Sequence, residues 1–345
     1  MIKKVFLGSL AIIVVLCAGF GLWLYTAVNK EVDEVFAGVC TDLNLEGGSA
    51  EDIQIDRARG LAYLSISDRM ATAKGEDPGP GTIGRVDLNM NPPSVASAVN
   101  DGPDLRPHGV SLFIDTNGQR HLYVINHWFR ADTGEERIEH YLETSPGVFS
   151  HEETLQSPLI TRANDMVAVA PNQFYVAQDV DRRSGQTLTD LVFYDGAEFS
   201  VVANDIQSGG GINISADNQT LYIAETGGKR IRVAQRNPAD GTIISSSFID
   251  LGTSPDNIDI AADGSLWVGA HSNVVALAMH FIVGSNSPTQ VLRVEIDDET
   301  TEIEEIYLNA GDQISSGSGG TTLGNRLLIG SITAKKVLVC EMDEA

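Results

Sequence analysis

From about position 49 onward, short apolar stretches alternate with turn residues, and they come in pairs. The second members read Leu61-Ala-Tyr-Leu-Ser, Leu122-Tyr-Val-Ile-Asn, Phe174-Tyr-Val-Ala-Gln, Leu221-Tyr-Ile-Ala-Glu, Leu266-Trp-Val-Gly-Ala and Leu327-Leu-Ile-Gly-Ser. The first members are Ile53–Asp56, Val110–Asp115, Met166–Ala170, Ile212–Ser215, Ile258–Ala261 and Thr321–Leu323. Turns such as Asn117-Gly118, Pro171-Asn172 and Asp263-Gly264 stand between the members. β-branched and aromatic runs bounded by such turns form strands joined as hairpins. The second strands start 61, 52, 47, 45 and 61 residues apart. That is the period of propeller blades, small sheets that bury both faces only by packing around a ring. Six repeats predict an all-β, six-bladed β-propeller. A plain antiparallel sandwich does not explain the sixfold return of one pattern. No convincing long amphipathic helix is legible in this part of the chain.

The N-terminus breaks the pattern. Lys3 and Lys4 precede the run Val5–Val28, which holds no charged residue. As a helix, these 24 residues span about 36 Å, enough to cross a hydrocarbon core of about 30 Å with some tilt. Trp23 and Tyr25 stand near the outer end, where amphipathic rings favour the interface. A cleavable signal peptide has a shorter apolar core and a small-x-small site, and Thr26-Ala27-Val28 is a poor one. A lipoprotein reading through Cys17 fails on the bulky Leu16. The expectation is one transmembrane helix, an uncleaved signal-anchor over 1–30, followed by the propeller over 31–345. The basic flank before the run and Glu31, Asp33 and Glu34 after it place the propeller on the extracytoplasmic side, periplasmic or extracellular. Cys40 and Cys340 stand at the two ends of that part. In an oxidising compartment they pair as a disulfide across the closing seam of the ring; two unpaired buried thiols are the alternative.

Charge narrows the partners. There are 47 Asp and Glu against 23 Lys and Arg, a net charge of −24, and every acidic residue lies after position 30. Such a field repels phosphate backbones and anionic lipid, so no nucleic-acid partner is expected, and it suits cations. The residues just before each first strand read Glu51-Asp52, Arg106-Pro-His108-Gly, Asn164-Asp165, Gly209-Gly210-Gly211, Asp256-Asn257 and Gly317–Gly320. In a propeller these positions converge near the axis at one end. Acid and amide oxygens gathered there are hard donors that select Ca²⁺ or Mg²⁺ over zinc. Any one of them alone is explained as a turn-capping Asx residue; their shared register is not. His108 precedes the inner strand of the second blade, and His127 ends its partner. Such a pair beside a cation can supply a base for water and its orienter. His271 holds the comparable place in the fifth blade, while His121, His140, His151 and His280 read as surface or packing residues. No Gly-x-Ser-x-Gly elbow supports a serine hydrolase.

The stretches Gly48–Ile53, Pro107–Asp115, Val124–His127, Asn164–Val169, Gly211–Ser215, Asp256–Ile258, Leu266–His271 and Leu327–Gly330 resemble, in order, the serum paraoxonase/arylesterase family. The resemblance runs from about Cys40 to Cys340. It implies a six-bladed propeller with a disulfide joining its ends and an apolar N-terminal segment that is often retained. It also implies two calcium ions in the channel and hydrolysis of lactones, aryl esters and, more weakly, organophosphate esters. Carried over by position, Glu51, Asn164, Asp256 and Asn257 become ligands of a catalytic calcium. Asp52, Asp165 and the carbonyl of Val110 become ligands of a structural one. His108 activates the attacking water with His127 as partner, and the calcium polarises the carbonyl. The chain departs from the family at three places. Gly210 replaces an Asn ligand, Val180 replaces a histidine, and Ala270 replaces a free cysteine. Asn213, an odd number of residues beyond Gly210, faces the other way along a strand and does not substitute. The expected function is a calcium-dependent arylesterase/lactonase acting on neutral esters or lactones. The alternatives are a sugar lactonase of the regucalcin/gluconolactonase type and a non-catalytic, calcium-stabilised binding propeller.

Overall fold

Six four-stranded antiparallel sheets stand around one axis in the computed structural model, which describes residues 16–36, 38–127, 136–181, 184–297 and 300–343. Within a blade the strands pair in chain order, inner to outer. Blade one runs Ser49–Asp56, Leu61–Ser67, Thr82–Asp87, Val95–Ser97. The inner strands of blades two to six are Pro107–Ile114, Ala163–Ala170, Gly209–Ile214, Ser254–Ile260 and Gly317–Leu323. Their partners are Arg120–His127, Gln173–Gln178, Thr220–Glu225, Leu266–His271 and Arg326–Ser331, so all six expected hairpins form. The inner strands begin earlier than the apolar pattern indicates. The polar positions expected just before them lie inside them.

Blade six is composite. Its inner three strands come from the C-terminal end, and the outermost, Gly38–Asn44, comes from the N-terminal end and pairs with Lys336–Met342. Cys40 lies directly opposite Cys340, and the two are bonded. The alternative of two free thiols is thereby excluded, and the free cysteine among the described residues is Cys17.

The apolar residues occupy the spaces between blades and leave the axis polar. Leu64 and Val86 of blade one meet Leu328 and Val339 of blade six. Tyr63 and Ile83 meet Val110 and Leu122 of blade two, and Tyr123 and Ile125 meet Met166 and Val176 of blade three. The same alternation of neighbours continues around the ring. Burying an apolar side chain contributes about 1.5–3 kcal/mol, so each sheet is stable through its two neighbours.

Two helices matter for the site end. Residues 16–28 are helical, and residues 1–15 of the expected anchor lie outside the described residues. Among the described residues no helix is long and apolar enough to cross a membrane. A ten-residue helix, Val274–Val283, follows blade five's second strand. Its pattern reads as a buried run and conceals it, but its caps are legible. Asn273 Oδ1 accepts from Ala276 N, and Gly284 closes the helix in the left-handed region. Asn273 Nδ2 also donates to Ala27 O, 2.7 Å away, tying this helix to the end of the N-terminal one.

Candidate functional site

All six inner strands slip register at the same level: between Ala50 and Ile53, Pro107 and Val110, Ala163 and Asp165, Gly209 and Ile212, Pro255 and Ile258, and Gly317 and Gly319. A regular strand sends successive side chains to opposite faces, whereas a bulge redirects one of them. Neighbours such as Glu51 and Asp52 thus both act near the axis. The strands also approach closely. A Cβ on Gly109 would lie 2.5 Å from Asp165 Cα, and one on Gly211 would lie 2.6 Å from Asn257 Cα. Only glycine permits those approaches.

Glu51, Asp256 and Asn257 are buried together. Asn257 Nδ2 donates to Glu51 Oε1 at 2.8 Å and to the Glu51 carbonyl at 3.0 Å. Ser318 Oγ donates to that same carbonyl at 2.6 Å. Asp256 Oδ2 lies 3.0 Å from His271 Nε2. Among the expected ligands, three oxygens are shielded from solvent and have no hydrogen-bond partner: Glu51 Oε2, Asn164 Oδ1 and Asn257 Oδ1. A buried acceptor left unmade costs about 1–3 kcal/mol. That three of the four expected ligands each keep such an atom is what a hard cation requires, so these residues fit calcium. Among the described residues no three His, Cys, Asp or Glu side chains form a metal cluster by themselves. The orphaned set is mixed, one acid and two amides.

Asp52 and Asp165 are a second pair of buried acids. Asp52 Oδ2 accepts from Val110 N at 2.7 Å, and Asp165 accepts from Met166 N and Ile212 N, both at 2.8 Å. Val110 therefore meets Asp52 through its N–H. Burial, then the charge of Glu51, pushes the Asp52 carboxyl up to about 8. Burial, then the charge of Asp52, raises Asp165 well above the usual carboxylate range. A divalent ion beside them would let both acids ionise, in line with the expectation for a second ion.

The histidines converge as expected. His108 Nδ1 and His127 Nε2 are hydrogen-bonded, with their rings edge to face at 4.6 Å. His108 Nε2 lies 3.3 Å from Glu51 Oε2. His271 reaches the site through Asp256. Of the others, His121 and His140 stack in the blade-two sheet beside Tyr123, His151 binds Glu139, and His280 binds the Ser285 carbonyl and Thr333. Asn213 turns away, donating to Ile258 O.

Three residues were not legible. Arg69 follows blade one's second strand and donates to the carbonyls of Ser49 and Pro107 at 2.8 and 2.6 Å, a buried positive charge beside the acids. Thr226 Oγ1 donates to Pro255 O at 2.7 Å and fills the space beside Gly210, where a Cβ would lie 2.8 Å from it. Glu136 stands opposite His127 on the neighbouring strand, with Oε2 2.5 Å from His127 Nδ1. Only strand register reveals it.

A six-bladed propeller with acids, amides and paired imidazoles gathered at one end of its axis defines the class to which the chain belongs. The family is shown by comparison. The Arylesterase family model matches residues 31–342, and the chain belongs to that family. It is 30% identical over 333 residues to serum paraoxonase/arylesterase 2 of Gallus gallus, covering 91% of this chain and 92% of that one. It is 31% identical over 317 residues to serum paraoxonase/arylesterase 1 of Homo sapiens, covering 86% and 87%. The solved structure of regucalcin, a calcium-binding protein from Agrobacterium tumefaciens, superposes with a TM-score of 0.51 at 13% identity, covering 90% of this chain and 98% of that one. That last likeness concerns the fold alone.

Proposed function

We propose that the protein is a calcium-dependent hydrolase of carboxylic esters, an arylesterase/lactonase. The observation that carries the reading is the set of buried oxygens without hydrogen-bond partners on Glu51, Asn164 and Asn257, with Glu51 next to the His108–His127 pair. Family membership supports it. The catalytic calcium would be held by Glu51, Asn164, Asp256 and Asn257, and the structural one by Asp52, Asp165 and the Val110 carbonyl. Bound there, the catalytic ion supplies positive charge to the substrate carbonyl and to the oxyanion that forms from it. His108 Nε2 takes the proton of the attacking water, and His127 orients the ring. The same proton returns to the leaving oxygen. The acidic surface disfavours anionic substrates, which points to neutral lactones and aryl esters.

The Val5–Val28 run supports an N-terminal anchor with the propeller outside the cytoplasm, where a Cys40–Cys340 bond persists. One observation favours a second reading. Gly210, where the family carries an Asn ligand, suits a calcium-stabilised binding propeller without turnover.

Hydrolysis of phenyl acetate and a neutral γ-lactone by the full-length chain in detergent, with and without H108Q, separates the two. The hydrolase reading expects wild-type turnover and a loss of about 10²–10⁴-fold in kcat for H108Q at unchanged thermal midpoint. Wild-type turnover that survives H108Q contradicts the assigned base, and a folded wild type without turnover favours the binding propeller.

A further inference from the structure

Glu136 has no part in the mechanism above, yet it completes a line of polar atoms through the site. The line runs from Glu136 Oε2 to His127 Nδ1, through that ring to Nε2, on to His108 Nδ1, and through the second ring to Nε2 beside Glu51. Glu136 opens the third strand of blade two, directly opposite His127 in an antiparallel pair, so backbone register brings the two side chains together. The backbone of His127 is held as well. Its N–H donates to Arg106 O at 3.0 Å, and the preceding Asn126 accepts from Arg106 N at 2.8 Å. The His127 ring itself is held at both nitrogens, by Glu136 and by His108.

We propose that Glu136 is a positioning residue for ester hydrolysis, its carboxylate fixing the proton on His127 Nδ1 so that His127 Nε2 must act as acceptor. This rests on the hydrolase reading. A carboxylate accepts and cannot donate, so the nitrogen hydrogen-bonded to it, His127 Nδ1, carries hydrogen, whereas Glu51 Oε2, 3.3 Å from His108 Nε2, takes no hydrogen bond. In the neutral ring the opposite nitrogen, Nε2, is then bare. The only proton that can bridge the two rings sits on His108 Nδ1, which leaves His108 Nε2 bare toward the channel. As water attacks the carbonyl carbon, its O–H bond breaks and the proton passes to His108 Nε2. The His108 Nδ1 proton passes to His127 Nε2, and the resulting imidazolium lies against the Glu136 carboxylate. When the ester C–O bond breaks, both transfers reverse and the leaving oxygen is protonated. No other reactant is needed. In serine proteases the carboxylate behind a catalytic histidine does the same work, and its amide replacement presents the wrong tautomer.

A plain cross-strand salt bridge is the competing account. His127 and Glu136 keep 33% and 16% side-chain exposure, and a pair that open contributes about 0–1 kcal/mol to stability. Replacing such a pair would leave kcat untouched.

The test is E136Q in the full-length chain, with three measurements: kcat and KM on phenyl acetate, calcium bound at equilibrium, and long-range ¹H–¹⁵N spectra of labelled histidine. The proposal expects kcat to fall about tenfold or more, KM to stay within about twofold, and calcium binding and thermal midpoint to stay unchanged. It also expects His127 to carry its proton on Nδ1 in the wild type and to lose that preference in E136Q. An unchanged kcat in E136Q, or a wild-type His127 protonated on Nε2 alone, overturns it. If the wild type hydrolyses neither ester nor lactone, the hydrolase reading fails by itself, and the tautomer still decides whether Glu136 orders His127.

Discussion

The bond between Cys40 and Cys340 joins residues 300 apart and lies on the one seam where the ring is closed by strands from opposite ends of the chain. Its effect lies mainly in the unfolded state. For a loop of that length the chain-entropy relation gives an upper value of about 5–6 kcal/mol at 25 °C, and measured disulfides fall below it, typically at about 2–4. The native seam itself survives the loss, because Gly38–Asn44 still pairs with Lys336–Met342 along its whole length. The double variant C40A/C340A should thus fold as the wild type does but lose about 3–4 kcal/mol. For a chain of this size that lowers the thermal midpoint by about 5 °C. The assay is thermal and urea unfolding of both proteins, followed by tryptophan fluorescence, with amide exchange of residues 38–44 read separately. Faster exchange confined to that strand and its partner is expected below the transition. If the midpoint and the exchange of residues 38–44 both match the wild type, the bond does not fasten the seam, and the account of ring closure is wrong.

Other consequences follow from the axis. In the unfolded chain Asp52 and Asp165 lose their protons near pH 4, whereas in the folded chain burial, then the charge of Glu51 on Asp52 and of Asp52 on Asp165, hold them protonated, Asp52 up to about 8. Protonation thus stabilises the calcium-stripped fold fully below about pH 4, and that contribution is lost as the pH rises toward 8. Its thermal midpoint should be higher at pH 5 than at pH 8, with calcium closing the gap; equal midpoints in the stripped protein would refute the buried-acid account. At Gly210, G210N drives a Cβ against Thr226 Oγ1 and should cost about 1–3 kcal/mol. Adding T226A should recover most of that stability and lower the calcium midpoint below the wild-type value, read by thermal melts and calcium titration.

The ring was legible because each blade repeats a local signal, an apolar run on either side of a turn, and because sixfold recurrence excludes a simple sandwich. The candidate ligand positions stood out for the same reason, since they recur at one place in the repeat. Their environment was not. Side-chain alternation along an ideal strand would send Glu51 and Asp52 to opposite faces, and only the bulge between Ala50 and Ile53 brings both to the axis. Arg69 is turned back over the acids by the short helix Arg69–Ala73, a tertiary event that leaves no periodic trace. Glu136 depends on the register of a strand pair, which the sequence of the connection, residues 128–135, does not fix. The helix Val274–Val283 escaped notice because ten largely apolar residues show no polar face, although Asn273 and Gly284 mark its ends.

If Glu51, Asn164, Asp256 and Asn257 hold calcium as proposed, hydrolysis depends on that ion. The measurement that tests this most directly follows phenyl acetate and γ-lactone hydrolysis by the full-length chain after chelation, as calcium is added back. Turnover should vanish with EDTA and return along a saturable calcium curve, and E51Q should shift this curve to higher calcium. Turnover that persists after calcium is removed, with E51Q behaving as the wild type, would contradict it.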